Sequence, residues 1–194
     1  MKLVKATIWR EIFEKWKERE ASNQGWVECA TKVKGWLDWE SLRGFTANQF
    51  GAEKRDWQLY RFDNPMEEVP AMLLGPYSSW QDRTQNTNQT TFAELLASQE
   101  QLDFFNNHSG VLSILNALPF ETEMIGLLRK DNNKIVCIEG HHRATAIALA
   151  KKQETVIDFT NTSVTIALTE LAVKDCHLID AMLQRGTSKI KTLK

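Results

Sequence analysis

The sequence has few of the features that mark a secreted, disulfide-bonded or membrane protein. Its three cysteines, Cys29, Cys137 and Cys176, are odd in number and widely spaced, so neither a disulfide framework nor a zinc knuckle is predicted. No run of about 18 apolar residues is present. Charged residues follow the N-terminal methionine too closely for a signal peptide. We therefore expect a cytoplasmic protein with free thiols and no membrane partner.

The chain also lacks an excess of charge of either sign. It has 24 basic and 25 acidic residues, so no strong general attraction to nucleic acid or to an anionic membrane is expected. Charge is unevenly distributed, however. Residues 71–128 contain one basic residue, Arg83, whereas residues 129–194 contain 11 basic and seven acidic residues. An anion-binding surface is therefore expected mainly in the last third of the chain.

Tryptophan is concentrated near the N-terminus, where six of the seven lie in residues 1–57. Such a density is compatible with a platform for stacking bases or with the core of a small helical unit. Basic residues in this region are balanced by acidic ones, which favours the core. We predict an α+β protein with an N-terminal Trp-rich helical subdomain over residues 1–69 and a main domain over residues 70–194.

Apolar periodicity and turn residues predict most of the secondary structure. Thr91 and Glu94 have the spacing of a capping box at the start of a helix. The tail after Gly186 is basic, and we expect it to be frayed. The predicted helices are 4–20, 91–108, 110–118, 141–153 and 169–186. The predicted strands are 56–62, 69–77, 124–128, 134–138, 155–160 and 163–168, and residues 124–138 are expected to form a hairpin.

The segment with the most chemistry is IVCIEGHHRATAIALA, residues 135–150. A buried strand delivers Glu139 and Gly140 to the edge of a sheet, and a helix begins at once. The helix N-terminus presents free N–H groups and a positive dipole end, which together make an anion site. His141, His142 and Arg143 add donors, and Arg143 can fork onto a phosphate or a carboxylate.

The alternative interpretation of this segment is an ordinary strand-to-helix turn with a solvated first helical turn. Cationic side chains, however, are unfavourable at a helix N-terminus unless an anion is present. This local conflict favours a functional site. Glu139 can serve as a base, orient a histidine or hold a metal ion. No metal site built from protein ligands is predicted, because adjacent residues such as Cys176 and His177 do not face one another on a helix.

The motif IEGHHRATAIALA resembles the signature of the ParB/sulfiredoxin-like superfamily, in which a strand leads through a Gly-x-x-Arg or Gly-x-His-Arg turn into a helix. The order of the segments TFAELLASQEQL, EMIGLLR and KIVCIEG before it is similar as well. The resemblance covers residues 70–168. It implies a small mixed sheet with helices packed on it, and a turn that binds nucleotide phosphates.

Within the superfamily, the acid-Gly-His-His-Arg turn is most similar to that of free-serine kinases. The resemblance implies that Gly140, His141, His142 and Arg143 bind phosphate and that Glu139 and His142 are catalytic, with ATP or ADP and magnesium as cofactors. Glu139 stands where that branch has an aspartate. Sulfiredoxins have a cysteine where this chain has His141, which argues against sulfinic acid repair.

Three functional hypotheses follow from the sequence. The first is a nucleotide-phosphate-binding protein, a kinase-like phosphotransferase or a nucleotide hydrolase, acting on an unknown small-molecule or protein acceptor. The second is a nucleic-acid-binding or nuclease-like ParB-type module. The short C-terminal remainder, 169–194, and the single arginine of YSSWQDRTQ argue against a chromosome-partition protein. The third is a non-catalytic adaptor that retains the fold.

Overall fold

Five strands form one mixed sheet at the centre of the molecule. The structure is a computed structural model and describes residues 1–190. The strands are β1 (Lys2–Thr7), β2 (Trp57–Arg61), β3 (Thr122–Arg129), β4 (Ile135–Glu139) and β5 (Val164–Leu171). Their order across the sheet is β1-β2-β5-β3-β4. Strands β3 and β5 are parallel, and the other neighbours are antiparallel.

Helices cover both faces of this sheet. Ten of them lie in residues 1–190, together with a π-helical turn, Cys29–Val33, and two 3₁₀ turns, Ala52–Lys54 and Val173–Asp175. The helices are α1 (Trp9–Glu20), α2 (Gln24–Glu28), α3 (Trp39–Gln49), α4 (Pro65–Glu68), α5 (Ser78–Gln81), α6 (Phe92–Leu95), α7 (Gln99–Asn106), α8 (Ser109–Ala117), α9 (His141–Lys152) and α10 (His177–Arg185).

The strands alternate between two hydrophobic cores because successive side chains of a strand point to opposite faces. In β4, for example, Val136 and Ile138 belong to the first core and Cys137 to the second. The first core is built with α1, α3 and α10, and the second with α6, α7, α8 and α9. The sheet is therefore a middle layer, with its apolar residues buried on both sides.

The N-terminal tryptophans fill the first core, as the balanced charge of that region predicts. Trp9, Trp16, Trp39 and Trp57 are buried there, and Trp36 is partly buried against the same core. Trp9 and Trp57 are 5.2 Å apart between ring centroids, and Trp16 and Trp39 are 5.5 Å apart with their rings nearly perpendicular. Edge-to-face and tilted pairs at such distances favour the packing of aromatic rings.

Helix α9 lies in the second core and is buried on nearly all sides. Its alanine-rich middle, from Ala144 to Ala150, is buried throughout, which suits a helix with apolar residues all round.

The chain passes from β3 through β4 and α9 to reach β5, beside β3. This connection brings the β4–α9 turn next to the start of β3, since Glu139 pairs with Ile125 in the antiparallel ladder.

Several predicted elements are confirmed. The hairpin over 124–138 forms as β3 and β4, the strand over 56–62 as β2, and the helix over 110–118 as α8. The capping box at Thr91 and Glu94 is present with both of its hydrogen bonds. The run into the β4–α9 turn is also as predicted, because β4 ends at Glu139 and α9 begins at His141.

Other predictions were wrong in identifiable ways. The predicted helix over 4–20 divides into β1 and α1 because the exposed residues before Ile8 pair with β2 as an edge strand. The predicted strand over 69–77 forms only single bridges at Leu73. Prolines at both ends of this segment, which cannot donate to a ladder, limit its pairing. Residues 155–160, also predicted as a strand, are irregular.

The remaining differences concern helix boundaries and the tail. The predicted helix over 91–108 forms as α6 and α7, with a break at 96–98. The start of the predicted helix over 169–186 belongs to β5, so α10 begins only at His177. The tail is anchored as far as residue 190, since Lys189 N–H donates to the Lys34 carbonyl at 2.8 Å. Residues 191–194 of that tail lie outside the described residues.

The sheet draws strands from both sides of the boundary predicted at residue 69. Strands β1 and β2 come from the N-terminal part, and β2 pairs directly with β5. The N-terminal part is therefore more than a helical subdomain packed on the sheet. It supplies two of the five strands as well as α1 and α3.

Trp57 offers a direct test of the first core. It is 2% exposed, and its indole N–H donates to the Ala52 carbonyl at 2.9 Å. We expect Trp57→Ala to lower the free energy of unfolding by about 3–5 kcal/mol, because it leaves a large cavity. Leu37, which is 83% exposed, is the control, and Leu37→Ala should change stability by less than about 0.5 kcal/mol. Urea unfolding of both variants measures this, and equal losses would contradict the packing described.

Candidate functional site

The β4–α9 turn depends on a glycine conformation that side chains rarely adopt. Gly140 has φ +105° and ψ 16°, and a Cβ at this position would lie 2.5 Å from Met124 Cγ. The glycine thus permits both the sharp turn and close packing against β3. Helix α9 follows with 12 residues, and no side chain within residues 1–190 caps its first turn. Its first N–H groups are therefore available to an acceptor.

His141 faces inward, away from the helix end. Its Nε2 accepts a hydrogen bond from the Gly75 N–H at 2.9 Å, and Nδ1 lies 3.7 Å from Cys137 Sγ. Burial, together with the neighbouring His142, lowers the pKa of His141 from its ordinary 6.5 to about 3. The imidazole is therefore neutral and structural. The side chain of His141 is therefore not available to a phosphate at the helix N-terminus. Only its backbone N–H can make the predicted contact.

His142 faces a cleft and is surrounded by aromatic rings. Its centroid is 5.2 Å from His108, 5.5 Å from Trp80 and 6.1 Å from Trp26. Burial lowers the pKa of His142 to about 4, and His108 lowers it as well. His142 is thus an uncharged and weakly basic imidazole near neutral pH, and it adds no positive charge for a phosphate.

Arg143 reaches back across the turn to the start of β3. One guanidinium nitrogen, Nη1, donates to Thr122 Oγ1 at 2.8 Å and to the Glu123 carbonyl at 3.2 Å. The other, Nη2, pairs with the Glu139 carboxylate, four residues earlier. Arg143 therefore ties β3, β4 and α9 together, while its side chain also lines the cleft.

Glu139 is a buried carboxylate, with 6% of its surface exposed. Besides Arg143, it has Arg19 of α1 nearby, with Nη2 3.5 Å from its Oε2. Burial raises the pKa of Glu139, and the Arg143 guanidinium opposes that shift. Its Oε1 pairs with Arg143, and its Oε2 is buried without a hydrogen-bond partner within residues 1–190, so Glu139 positions Arg143 and is not open to solvent.

These contacts answer the electrostatic conflict noted at the helix N-terminus. The two histidines are neutral, and the arginine is paired with a carboxylate inside the molecule. Protein groups thus remove the misplaced charge locally, and the motif alone does not require an anion. Support for a ligand has to come from the surroundings of the turn.

Those surroundings form a cleft of about 1110 Å³. Its walls come from α1–α3, the segment 76–83, α7 and α8, the β4–α9 turn, and residues 185–190. One wall is aromatic, and Trp80 stacks on Phe105 with centroids 5.6 Å apart and an interplanar angle of 8°. The aromatic residues lining the cleft are Trp16, Trp26, Tyr77, Trp80, Phe104, Phe105, His108, Phe120, His141 and His142.

The cleft is cationic as well as aromatic. Two acids line it within the described residues, Glu20 and Glu139, and each is paired with arginine. Six basic residues line it: Arg19, Lys34, Arg43, Arg83, Arg143 and Arg185. Four of these six precede residue 84, so this surface does not lie mainly in the last third of the chain as expected.

Three of these arginines lie against aromatic rings: Arg185 lies over Phe45, and Arg83 and Arg43 lie over rings that line the cleft. The Arg83 guanidinium carbon is 3.7 Å from the Phe104 ring centroid, and that of Arg43 is 5.0 Å from the Trp26 ring. Arginines stacked in this way are held flat and pre-oriented. The sequence analysis did not assign Arg83 or Arg43 to the site. Neither residue is close to the motif along the chain, and their charge was the one signal that could have indicated them.

The resemblance implies a magnesium ion beside the nucleotide, but the cleft offers few protein ligands for one. Magnesium is usually held by one or two carboxylates together with phosphates and water. Both cleft carboxylates are paired with arginines, although Glu139 Oε2 has no hydrogen-bond partner within residues 1–190. Within the same residues, no cluster of three or more His, Cys, Asp or Glu side chains is arranged to hold a metal ion. With an arginine beside each carboxylate, the residues present fit a magnesium ion poorly.

Comparison with known proteins adds no assignment: no family model, curated protein or solved structure matches this chain. Among the helices of residues 1–190, none combines the length and the apolar character needed to span a bilayer.

The glycine of the turn can be tested by substitution. We expect Gly140→Ala to lower the free energy of unfolding by about 1–3 kcal/mol or more, because it adds backbone strain and a clash with Met124. Gly44, within α3, has open space around its Cα. Gly44→Ala should therefore raise stability by about 0.5–1 kcal/mol. Thermal and urea unfolding distinguish the two signs, and a stabilising Gly140→Ala would disprove the geometry of the turn.

The two neutral histidines predict loss of stability in acid. Their pKa values are about 3 and about 4 in the folded protein, below the ordinary 6.5, so the unfolded chain binds more protons between these values. Their contribution is complete above pH 6.5 and decreases as the pH falls toward 4. At pH 5, one such histidine costs about 2 kcal/mol relative to neutral pH.

Urea unfolding at pH 7.5 and pH 5.0 measures this effect. His142→Gln should lose less stability than the unmodified protein over this interval. His177→Gln, which changes an exposed histidine, is the control and should behave like the unmodified protein. If His142→Gln lost as much stability as the control, the burial of a neutral His142 would be refuted.

Proposed function

We propose that this protein binds a nucleotide, ATP or ADP, in the cleft and transfers its terminal phosphoryl group to an acceptor. The observation that carries the proposal is the composition of the cleft, in which six basic side chains and a stacked aromatic wall enclose about 1110 Å³. A nucleotide combines polyanionic phosphates with a flat base, and few other metabolites need both kinds of wall. The β4–Gly140–α9 step supports a ParB/sulfiredoxin-like arrangement of the elements after residue 70, on a sheet that β1 and β2 complete.

The phosphates would lie at the N-terminus of α9. There the backbone N–H groups of His141, His142 and Arg143 are uncapped within the described chain, and the helix dipole favours negative charge. Gly140 has no side chain to block the approach. Arg143 keeps N–H groups beyond those used by Thr122 and Glu139, so it can reach a phosphate while it remains in its ion pair.

The base would lie on the aromatic wall opposite. Trp26 and Trp80 lie on either flank of His142, and Trp80 continues into the stack with Phe105. Stacking of a base on an aromatic side chain is worth about 1–3 kcal/mol and tolerates any base. The aromatic wall therefore supports binding of a nucleotide without selecting a particular base.

The chemistry would be an in-line displacement. An acceptor hydroxyl oxygen forms a bond to the terminal phosphorus as the bridging P–O bond breaks, and the shortened nucleotide leaves with that oxygen. His142, neutral and facing the cleft, takes the hydroxyl proton. Arg143 and the α9 N–H groups stabilise the charge on the phosphoryl oxygens. Glu139 holds Arg143 in place.

Calorimetric titration with ATP and ADP tests the binding. We expect Arg143→Ala to weaken the affinity about ten- to a hundredfold, because a charge-assisted contact with phosphate is worth about 1.5–3 kcal/mol. The double variant Glu139→Gln/Arg143→Ala should show the same loss without leaving a buried carboxylate unpaired. Lys152→Ala, at the exposed far end of α9, should bind like the unmodified protein.

Two results would redirect the proposal. Equal affinity in the unmodified protein and both Arg143 variants would remove Arg143 from the binding site. Absence of nucleotide binding at millimolar concentration would overturn the proposal and favour the adaptor hypothesis. Tight binding of single-stranded DNA or RNA with steep salt dependence, without binding of free nucleotide, would favour the ParB-type nucleic-acid module instead.

A further inference from the structure

The two carboxylates of the cleft each lie beside protein cations. Glu20 Oε2 accepts hydrogen bonds from Arg43 Nη2 at 2.8 Å and from the Trp39 indole N–H at 2.9 Å. Glu139 Oε1 is paired with Arg143, and its buried Oε2 has Arg19 at 3.5 Å but no hydrogen-bond partner within residues 1–190. A metal ion at Glu20 would displace Arg43, and one at Glu139 Oε2 would lie beside Arg19. Either position places a guanidinium beside the metal, a like-charge arrangement in a partly desolvated site.

The charge of the cleft also opposes a divalent cation. Six basic side chains face two acidic ones within the described residues, and His141 and His142 are neutral. The formal charge of the lining is therefore four positive units, from six cations and two anions. Such a lining attracts a free polyphosphate more strongly than its magnesium complex, which carries two fewer negative charges.

Arginine donors are available where a metal would otherwise neutralise phosphate. Arg43 lines the cleft, and its Nε is buried without a hydrogen-bond partner within residues 1–190. A buried donor without an acceptor is costly, so a rotation that turns this guanidinium toward a bound oxyanion would be favourable. Arg83 lies farther along the same wall, where its Nε donates to the Ser79 carbonyl at 3.1 Å and its guanidinium covers Phe104.

We infer that the cleft binds its nucleotide free of divalent metal, with arginines neutralising the phosphates in place of magnesium. This inference rests on the proposed function, since it concerns the ionic form of the same ligand. It also assigns Arg43 a role in binding through its unpartnered Nε. The ligand class is a metal-free nucleoside di- or triphosphate.

Titration of ADP into the full chain tests the inference at constant ionic strength, once with EDTA and once with magnesium chloride in excess over the nucleotide. We expect binding in EDTA, and weaker binding by about threefold or more in magnesium, because most of the ADP is then the less charged complex. Binding that requires magnesium would overturn this inference and leave the proposed function standing. Absence of binding in both buffers would overturn both.

Variants of the cleft arginines sharpen the test. Arg43→Gln should weaken ADP binding in EDTA by about tenfold, and magnesium should restore part of that loss, since Glu20 is then open to a metal. Arg83→Gln, which breaks no ion pair, should weaken binding in EDTA without gaining a response to magnesium. Arg61→Gln, an exposed change on β2, is the control and should leave both affinities unaltered. Unchanged binding in both Arg43→Gln and Arg83→Gln would refute the inference.

Discussion

The interaction on which the rest of the structure depends is the burial of the Glu139 carboxylate between two arginines. A single buried charge is unstable in a protein interior unless it is paired. Arg143 supplies the main partner, and it simultaneously holds Thr122 at the start of β3. Arg19 approaches from α1 on the opposite core. One carboxylate thus connects β3, β4, α9 and the N-terminal helices.

This arrangement explains how a cleft with many arginines can exist in a protein of nearly neutral charge. Glu20 and Arg43 repeat the pattern of Glu139 and Arg143, with each acid holding an arginine in a fixed position. The acids lie deep, and the arginine side chains extend to the lining of the cleft. Pairing therefore pre-orients the cations without cancelling the excess of positive charge that Arg83, Lys34 and Arg185 contribute.

The sequence identified the local geometry of the site better than its chemistry. The β4–Gly140–α9 step was predictable because a glycine between an apolar strand and a helix is a local signal. The inward orientation of His141 was not, as its partner Gly75 is 66 residues away along the chain. The pairing of Arg143 with Glu139 has the i,i+4 spacing, which is visible in the sequence. The burial of this pair depends on α1 and β3, which only the tertiary structure brings together.

The fold shows the same division between local and distant determinants. The hairpin, α8 and the capping box of α6 follow from residues close in sequence, and they were predicted. Strand β1 was hidden because it is exposed along its length and carries no alternation of apolar and polar residues. Its conformation is decided by pairing with β2, more than 50 residues later. The aromatic wall likewise joins Trp26 and Trp80, which only the tertiary structure brings to one cleft.

The anchoring of the segment after α10 has a consequence for the shape of the cleft. The Trp36 indole N–H donates to the Thr187 carbonyl at 2.6 Å, across 151 residues of chain. Residues 185–190 therefore complete a wall of the cleft that begins in α1–α3. The cleft therefore has its complete shape only while these two distant parts of the chain are held together, and a change that releases the segment after α10 would open one wall without touching the sheet.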